Sequence, residues 1–565
     1  NASVYGRGER MYSALRDVIG DDAFRRFLAT YYDRWAFRHV DEAAMRRAAE
    51  DASGRDLGWF FDQWLRRTGL VDYAVDDVRT RREGADWVTT ARVTRRGEYF
   101  HPVALGVRTD SGWVTGRGEP TVTTQVVTVR TTRAPREVRL DPIGASSDWY
   151  GPNDVADGWG RLNPRTARVG FDWPFLQQTA ERRFFTGFSP LAWYSRPGGL
   201  VLAARLRSNY AGTVNRLDLG LAGALKVPEQ QAVAPGFDAA DPSRPISRFQ
   251  GWISVENPRF PMATRPAMGF SMGLWWLDGI ALVGAARTWD QSQFLAGGTR
   301  VSTTFGFTGT YPYDRNWPDA RRWSLRSASD LTLAHERRAP EARGTTLRVA
   351  LTGGVATGRW GSEDDATPYA RGEASYAWLR RGAGSRWAHF ARVYGGFAVK
   401  APVERGVYLS AQSPTQTFGN HLWRPDDGVL ALPEVPFTPL GGAGLRGYDP
   451  VVGAEGIVAL NLEEARRLHR FGRDPRGVAL YAGAFADVGA YLGDEQPLLP
   501  DRVLADAGVG LAVRGQLFDR DVRLRADVPL WVSTPDAAIG LRDRDADDRP
   551  DPVRLRFTFS FTDLW

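Results

Sequence analysis

The sequence predicts a mixed fold: a short α-helical segment, then a small β-sandwich, then a large antiparallel transmembrane β-barrel of about 16 strands. Apolar residues recur at helical spacing near the start, and the spacing changes to strict alternation near residue 72. Residues 553–561 also alternate, and their three phenylalanines fall on the apolar face. An aromatic-rich strand near the C-terminus is typical of outer-membrane barrels, whose apolar face meets lipid.

Residues 1–71 are predicted to form helices. Gly20 is expected to end the first, and Asp21 or Asp22 to cap the second. Asp41 is expected to cap the third. The apolar faces of the four predicted helices lie within residues 12–19, 24–31, 45–49 and 57–65.

Residues 72–145 are predicted to form the sandwich. Alternating runs are separated by turn signals at Gly84, Gly97 and Gly112, so six or seven short strands fit and no helix does. Residues 146–164 are rich in Gly, Pro, Asp and Asn and are predicted to form a linker.

Residues 165–565 are predicted to form the barrel. Arginines recur on the polar face of its strands, as at Arg525 beside Asp527. A guanidinium is favourable in a wet lumen and costly in a dry core. A large soluble β protein such as a propeller is the alternative, but the sequence has no blade-length repeat.

Composition narrows the function classes. The net charge is +7, but the arginines are scattered among acidic residues, so no nucleic-acid partner is expected. The absence of cysteine excludes disulfides and thiolate metal sites. No run of about 18 uncharged apolar residues exists, so a transmembrane helix is not expected. Because the chain begins at Asn1 without a signal peptide, we expect it to be part of a longer protein.

A glycine-rich loop, G-G-A-G-L-R-G-Y at residues 441–448, carries the most specific motif of the barrel region. The motifs N-L-E-E, F-A-D-V-G and A-G-V-G-L follow it in order at residues 461–464, 485–489 and 507–511. This series resembles the C-terminal barrel of the bacterial surface antigen family, which includes outer-membrane assembly factors and two-partner secretion translocators.

The resemblance implies that the loop folds back into the lumen, where Arg446 pairs with Asp487. Such a bidentate bond would fix an otherwise floppy loop, so the role is structural or gating. The alternative is a surface turn with a solvated Arg446. The other residues of the loop motif are Gly444, Leu445, Gly447 and Tyr448.

The first 140 residues resemble the aminopeptidase N family of zinc peptidases. The resemblance begins at Y-G-R-G, residues 5–8, and runs through G-D-D-A-F at 20–24 to W-F-F-D-Q-W at 59–64. In that family the tyrosine of the first motif hydrogen-bonds the oxyanion formed during peptide hydrolysis, so the resemblance implies this catalytic role for Tyr5. The alternative is an ordinary buried tyrosine at a helix start.

No metal site is expected in this chain. None of its six histidines has the i, i+4 spacing of a zinc-binding helix. The family's zinc ligands precede the motif at residue 5, so Zn is expected only in the parent protein, and whether the protein is an enzyme stays open.

We therefore expect an outer-membrane protein whose parent hydrolyses peptides, with the barrel as anchor or pore and residues 1–164 in the periplasm. Its expected partners are outer-membrane lipid, a peptide substrate and the outer-membrane assembly machinery. One alternative is a polypeptide translocator or insertase, although residues 72–141 lack the helices of its usual client-binding modules. Another is a barrel carrying an inactive, peptidase-like binding domain.

Overall fold

The structure of the protein is a computed structural model that describes residues 6–560 with gaps. The gaps are residues 68, 157–159, 174–177, 196–198, 213, 226–247, 258–266, 292–298, 314–322, 325, 340–343, 360–365, 382–384, 419–426, 429–440, 449–452, 473–476, 493–501, 518–519 and 535–557. Tyr5 and most of the alternating segment at 553–561 therefore lie outside the described residues.

The N-terminal part is helical, as expected. The helices are α1 (Arg7–Ile19), α2 (Asp21–Trp35), α3 (Glu42–Ser53) and α4 (Gly58–Phe61), the last continued by a π-helical turn, Asp62–Arg66. Gly20, at φ 86°, ends α1 and is itself the N-cap of α2. The prediction that Asp21 or Asp22 caps α2 is wrong: both lie in its first turn, where negative charge favours the helix dipole. Asp41 does cap α3, accepting from the Ala44 amide at 2.8 Å.

None of the helices in the described part of the chain has the length and apolarity needed to cross a membrane.

Six strands follow within residues 73–140, in the predicted number. They are β1 (Tyr73–Glu83), β2 (Asp86–Arg95), β3 (Ala104–Thr109), β4 (Gly112–Arg117), β5 (Thr124–Thr131) and β6 (Glu137–Leu140). They form two three-stranded antiparallel sheets, ordered β1-β2-β5 and β4-β3-β6.

The helices and the sandwich share one hydrophobic core. Leu15, Phe27 and Phe60 from the helices are fully buried in the same cluster as Leu105 and Leu140 from the strands. Burying a side chain of this size contributes about 1.5–3 kcal/mol, so the shared core holds both parts together. We refer to residues 7–140 as the module.

The segment predicted as a linker packs against its surroundings. Asn153 donates to Asp72, just before β1, at 2.7 Å. Arg182, just before the first long barrel strand, pairs with Asp141 at 3.0 Å and with Asp154 at 2.7 Å. Residues 141–156 are therefore an ordered junction between module and barrel.

The remaining chain forms a closed barrel, which confirms the predicted fold class. Its long strands in the described residues are β8 (Phe184–Ser195), β9 (Gly199–Tyr210), β10 (Val214–Ala224), β11 (Phe249–Asn257), β12 (Ala267–Leu277), β13 (Ile280–Asp290), β14 (Arg300–Pro312), β15 (Arg326–Arg338), β16 (Thr345–Arg359), β17 (Thr367–Arg381), β18 (Trp387–Val399), β22 (Gly456–Phe471), β23 (Val478–Leu492), β24 (Val503–Leu517) and β25 (Arg520–Val532). The short pieces are β7 (Ala167–Phe171), β19 (Val407–Tyr408), a helical turn α5 (Pro414–Thr417), β20 (Asp427–Gly428), β21 (Gly453–Ala454) and β26 (Thr558–Ser560).

Sequential strands pair antiparallel, except that β7 runs parallel to β8. The barrel closes where β26, paired to β25, meets β7. The fifteen long strands and β26 agree with the predicted number of about 16.

The barrel wall alternates as the sequence predicts. On β25, Arg525 and Asp527 point inward and are buried, whereas Leu524 and Leu530 point outward and are 42% and 50% exposed. A closed wall that is apolar outside and polar inside is the surface of an outer-membrane barrel. The expected localisation in the bacterial outer membrane is confirmed.

Candidate functional site in the barrel lumen

The connection between β18 and β22 supplies the candidate site. Its described parts, residues 400–418 and 441–448, which we call the inner loop, contact inward-facing side chains of the wall. Arg405 donates to Asp330 of β15 at 2.6 Å, and Glu404 accepts from the Ser324 amide at 2.9 Å. The inner loop therefore fills part of the lumen, as the family resemblance implies.

Arg446 is the most deeply buried charge of this loop, with no exposed side-chain surface. Its Nε and Nη2 donate to the two oxygens of Asp487 at 2.7 and 2.8 Å. Its Nη1 donates to Glu463 at 2.8 Å, and its guanidinium lies 3.8 Å from the ring centroid of Phe485. The structure thus brings Arg446 and Asp487 together in the bidentate geometry that only arginine offers.

A second arginine extends the network. Arg525 of β25 donates to Asp527 through Nε and Nη2 at 2.5 and 2.8 Å, and its Nη1 donates to Glu463 at 3.1 Å. Glu463 therefore bridges two guanidinium groups. All these groups are nearly inaccessible to water, where removing one partner of an ion pair leaves an uncompensated charge.

The backbone of the glycine-rich loop is held as well. Asn461 donates to the carbonyl oxygens of Ala443 and Gly444 at 3.2 and 3.0 Å. Arg392 of β18 donates to the Gly442 carbonyl at 2.8 Å and to the Asn461 side chain at 3.1 Å. Side chains of three neighbouring strands, β18, β22 and β23, thus form hydrogen bonds with the loop.

Two glycines are required by space and backbone angle. Gly442 has φ 53°, and a Cβ there would lie 2.0 Å from the Tyr408 carbonyl oxygen. A Cβ on Gly447 would lie 2.7 Å from Val532 Cγ2 and 2.8 Å from Asp506 Cβ. These contacts explain why the loop contains glycine where it approaches the wall.

The other residues of the predicted loop motif anchor its end. Leu445 is fully buried among apolar residues of the wall and loop. The Tyr448 hydroxyl lies 3.0 Å from the Ser533 hydroxyl and accepts from the Ala505 amide at 3.1 Å. A Cβ on Gly444, at φ 74°, would lie 3.0 Å from Arg392.

The fixed charges around the loop nearly cancel. Of the three guanidinium groups beside the loop, two contact three carboxylates directly, whereas Arg392 donates to the Asn461 side chain and the Gly442 carbonyl. A further carboxylate, Asp506, lies opposite Asp487 in the β23–β24 register. The three cations are Arg392, Arg446 and Arg525, and the three anions are Glu463, Asp487 and Asp527. Such an arrangement is suited to holding a loop in place.

Sequence reasoning found Arg446 and Asp487 but assigned no role to Asn461, Glu463, Arg392 or Arg525. A signal existed for part of this set. Residues 461–464 appear as a motif, and Arg525 stands on the polar face of an alternating strand. The burial of Arg525 beside Glu463 depends on tertiary contacts that no local pattern contains.

The predicted catalytic Tyr5 lies outside the described residues. Its neighbour Arg7 donates to the Trp64 carbonyl at 2.7 Å and to the Tyr99 hydroxyl at 2.9 Å, which ties the start of α1 to the sandwich. In the described part of the chain, no group of three or more His, Cys, Asp or Glu side chains could hold a metal ion. The described residues therefore do not form a catalytic zinc site.

The chain is similar to peptidases over its first residues. The sequence model of the peptidase family M1 domain matches residues 1–64. Aminopeptidase N of Lactococcus lactis subsp. lactis and aminopeptidase N of Lactobacillus helveticus are each 33% identical over 69 residues, or 12% of this chain. The chain spans 8% of the length of these relatives. The expected likeness to aminopeptidase N-type peptidases is thereby confirmed for residues 1–64.

Among solved structures, the chain is similar to BamA from Haemophilus ducreyi lacking POTRA domains 1–3, at 12% identity and a TM-score of 0.34, over 66% of this chain and 69% of that one. It is also similar to CdiB from Escherichia coli, at 13% identity and a TM-score of 0.37, over 63% and 60% of the two chains. It is similar as well to CdiB from Acinetobacter baumannii, at 12% identity and a TM-score of 0.33, over 66% of this chain and 58% of that one.

Proposed function

We propose that this chain is the membrane-anchoring part of an outer-membrane peptidase: the barrel is a plugged anchor that holds a peptidase-type module at one mouth. The observation that carries the proposal is the combination, in one chain, of residues matched by the peptidase family M1 domain with a barrel whose lumen is occupied by its own loop. The partners would be outer-membrane lipid, the assembly machinery that inserts barrels, and a peptide substrate.

The junction supports anchoring. The Tyr210 hydroxyl, at the end of β9, donates to the Trp149 carbonyl, and Asn215 of β10 donates to the Tyr150 hydroxyl at 2.9 Å. The rings of Tyr150 and Tyr210 lie 4.9 Å apart, nearly edge to face. Aromatic packing of this kind adds about 0.5–1.5 kcal/mol per pair beyond area burial, so the module is held at a fixed position against the wall.

The inner loop supports an anchor rather than an open pore. Displacing Arg446 would leave the buried Asp487 without its guanidinium and Glu463 with Arg525 alone, and breaking a buried ion pair costs about 3–5 kcal/mol. Passage of a polypeptide, the translocator hypothesis, would require the whole network around Arg446 to open.

The peptidase chemistry belongs to the whole protein. Since the described residues do not form a zinc site, the metal ligands would be supplied by other parts of the parent, and Tyr5 would contribute only its hydroxyl to the oxyanion. The experiment must distinguish this proposal from the alternative that the module binds peptides without hydrolysing them.

The test uses the full-length protein in isolated outer membranes. Hydrolysis of an alanine p-nitroanilide is measured before and after chelation with 1,10-phenanthroline and after zinc is restored. We expect activity to sediment with the membrane, to require the metal, and to fall by about 10²-fold in the Tyr5→Phe variant.

Tyr12→Phe is the matched control, since Tyr12 lies on α1, seven residues after Tyr5 in the sequence, and is half-buried with its hydroxyl near Met45. Loss of activity in both variants, or in neither, would remove Tyr5 from the mechanism. Membranes that contain folded protein but no metal-dependent hydrolysis would leave the inactive binding domain as the correct description.

A further inference from the structure

A cavity of about 260 Å³ lies against the inner face of β9, β10 and β11. It is lined by Arg205, Arg207, Asn209, Gly212, Arg216, Leu217, Asp218, Ser254 and Glu256. Three guanidinium groups and two carboxylates therefore face one small volume. The cavity lies in the barrel wall, separate from the network around Arg446.

The strand register explains how these charges meet. Arg207 is paired with Asp218 across β9 and β10, and Asp218 with Ser254 across β10 and β11. Arg216 is paired with Glu256 across β10 and β11. Inward-facing residues of three adjacent strands thus form a lattice of alternating charge. A β-bulge in β10 between Val214 and Leu217 brings Leu217 into the lining as well.

One wall of the cavity is rigid. Arg205 is bound to Asp218 through Nε and Nη2, and the Trp252 indole donates to Asp218 at 2.8 Å. Trp252 is 1% exposed and fits against Gly220, where a Cβ would overlap its ring. On the same side, Arg207 is bound to the buried Asp172 at 2.6 Å.

The opposite wall is open to water and adaptable. Arg216 and Glu256 form an ion pair at 3.1 Å, with 37% and 45% of their side chains exposed. A pair this exposed contributes little to stability. A ligand that carries both charges can replace it at small cost, because a carboxylate can take the place of Glu256 beside Arg216 and an ammonium can take the place of Arg216 beside Glu256.

We propose that this cavity binds a small zwitterion of the amino-acid type, a free amino acid or a dipeptide. Arg216 and Arg207 receive its α-carboxylate and Glu256 its α-ammonium group, while Ser254 and Asn209 offer hydrogen bonds to the peptide group of a dipeptide. The volume is below the roughly 300 Å³ at which pockets for drug-sized ligands begin, which fits a ligand of this size. The site is independent of hydrolysis by the module, so it stands or falls separately from the proposed function.

Binding is measured by equilibrium dialysis with the full chain in detergent micelles. The probes are alanine, dialanine, N-acetyl-dialanine, dialanine amide and inorganic phosphate. We expect saturable binding of alanine or dialanine, and binding at least about tenfold weaker for N-acetyl-dialanine, the amide and phosphate. The stronger of alanine and dialanine identifies the length of the ligand.

Variants locate the site. Arg216→Gln and Glu256→Gln are each expected to weaken dialanine binding by about tenfold or more. Arg348→Gln is the matched control, since Arg348 forms an inward ion pair with Glu336 at 3.1 Å and similar exposure elsewhere in the barrel. Ser254→Phe fills the cavity without changing a charge and is expected to abolish binding.

The proposal is overturned by absence of saturable binding, by equal binding of phosphate or N-acetyl-dialanine, or by equal effects of Arg348→Gln and Arg216→Gln. Folding of each variant is checked by its mobility on unheated gels. If the charge variants fail to fold, Ser254→Phe tests the site in their place.

Discussion

The guanidinium of Arg446 donates two hydrogen bonds to the carboxylate of Asp487, which lies 41 residues later in the chain on barrel strand β23. The sequence separation shows that this bond closes a long connection onto the interior of the barrel. Because both groups are buried, the bond fixes the loop only while both partners are charged.

Replacing Arg446 with glutamine should release the inner loop. The change leaves the buried Asp487 without its cation and Glu463 with Arg525 alone, so we expect about 3–5 kcal/mol of destabilisation and a larger conductance. The midpoint of heat-induced unfolding on gels and single-channel recordings in planar bilayers measure the two effects. Arg348→Gln, which removes a half-exposed pair, should cost at most about 1 kcal/mol. Equal effects of the two variants would contradict a special role for Arg446.

Gly447→Ala tests the close approach of the loop to the wall. The added methyl group would lie under 3 Å from Val532 and Asp506, so the loop must shift, at a cost of about 1–3 kcal/mol. Gly395→Ala on β18 is the control, because a Cβ there meets nothing within 4 Å. Thermal midpoints of the two variants give the comparison, and identical midpoints would show that the loop is not held tightly at Gly447.

Asp17 makes the stability of the module depend on pH. Burial alone would raise its pKa, but hydrogen bonds from His101 and Arg117 outweigh burial and lower the pKa to about 2. The stabilisation is therefore present above about pH 4 and lost as the pH falls towards 2. We expect Asp17→Asn to cost about 1–2 kcal/mol at pH 7 after allowing for solvent screening, and less at pH 3.

Urea unfolding followed by tryptophan fluorescence measures this dependence. Asp21→Asn, which removes an exposed pair with Arg16, is the matched control and should change the pH dependence less than Asp17→Asn does. A pH profile of Asp17→Asn that parallels the unchanged protein would show that Asp17 does not couple α1 to the sandwich.

The junction should respond to pH in the opposite sense. Burial raises the pKa of Asp148 to about 7, although the amides of Tyr73 and Tyr150 donate to it and oppose the change. The neutral carboxyl is the favoured form, so its stabilisation is complete below about pH 4 and is lost as the pH rises through 7. Burial and the neighbouring Asp148 also raise the pKa of Asp154.

Hydrogen exchange of residues 146–156 measures the effect. After correction for intrinsic rates, we expect weaker protection at pH 8 than at pH 6, and a smaller difference in Asp154→Asn. The strands β3 and β6 serve as an internal reference. Equal protection at both pH values would mean that the junction carboxylates are compensated by Arg182 alone.

Local patterns predicted most of the fold. Alternation in β25 and the change of period near residue 72 depend only on which residues face water or lipid. Such reasoning fails at Gly20. This residue, with its positive φ, both ends α1 and is the N-cap of α2, so neither Asp21 nor Asp22 occupies the cap position. The packed junction was also missed, since polar composition alone does not distinguish a linker from a segment whose carboxylates meet Arg182.

The site was predicted in part, through the likeness of the loop motif to a known family. The pairing of Arg446 with Asp487 follows from that motif, whereas the bridging role of Glu463 between two arginines requires the register of four strands. The cavity beside Arg216 could not be predicted from the sequence, because its charged residues come from three strands whose alignment includes a bulge.

The positions of the module and of the closing strand in the sequence determine the order in which the two parts can fold. The core of the module is complete once residue 140 has been made, since its last buried residue is Leu140. The barrel cannot close until β26, at residues 558–560, reaches β7. More than 400 residues therefore separate the two folding events. The module can therefore fold while the unclosed strands still need protection from aggregation.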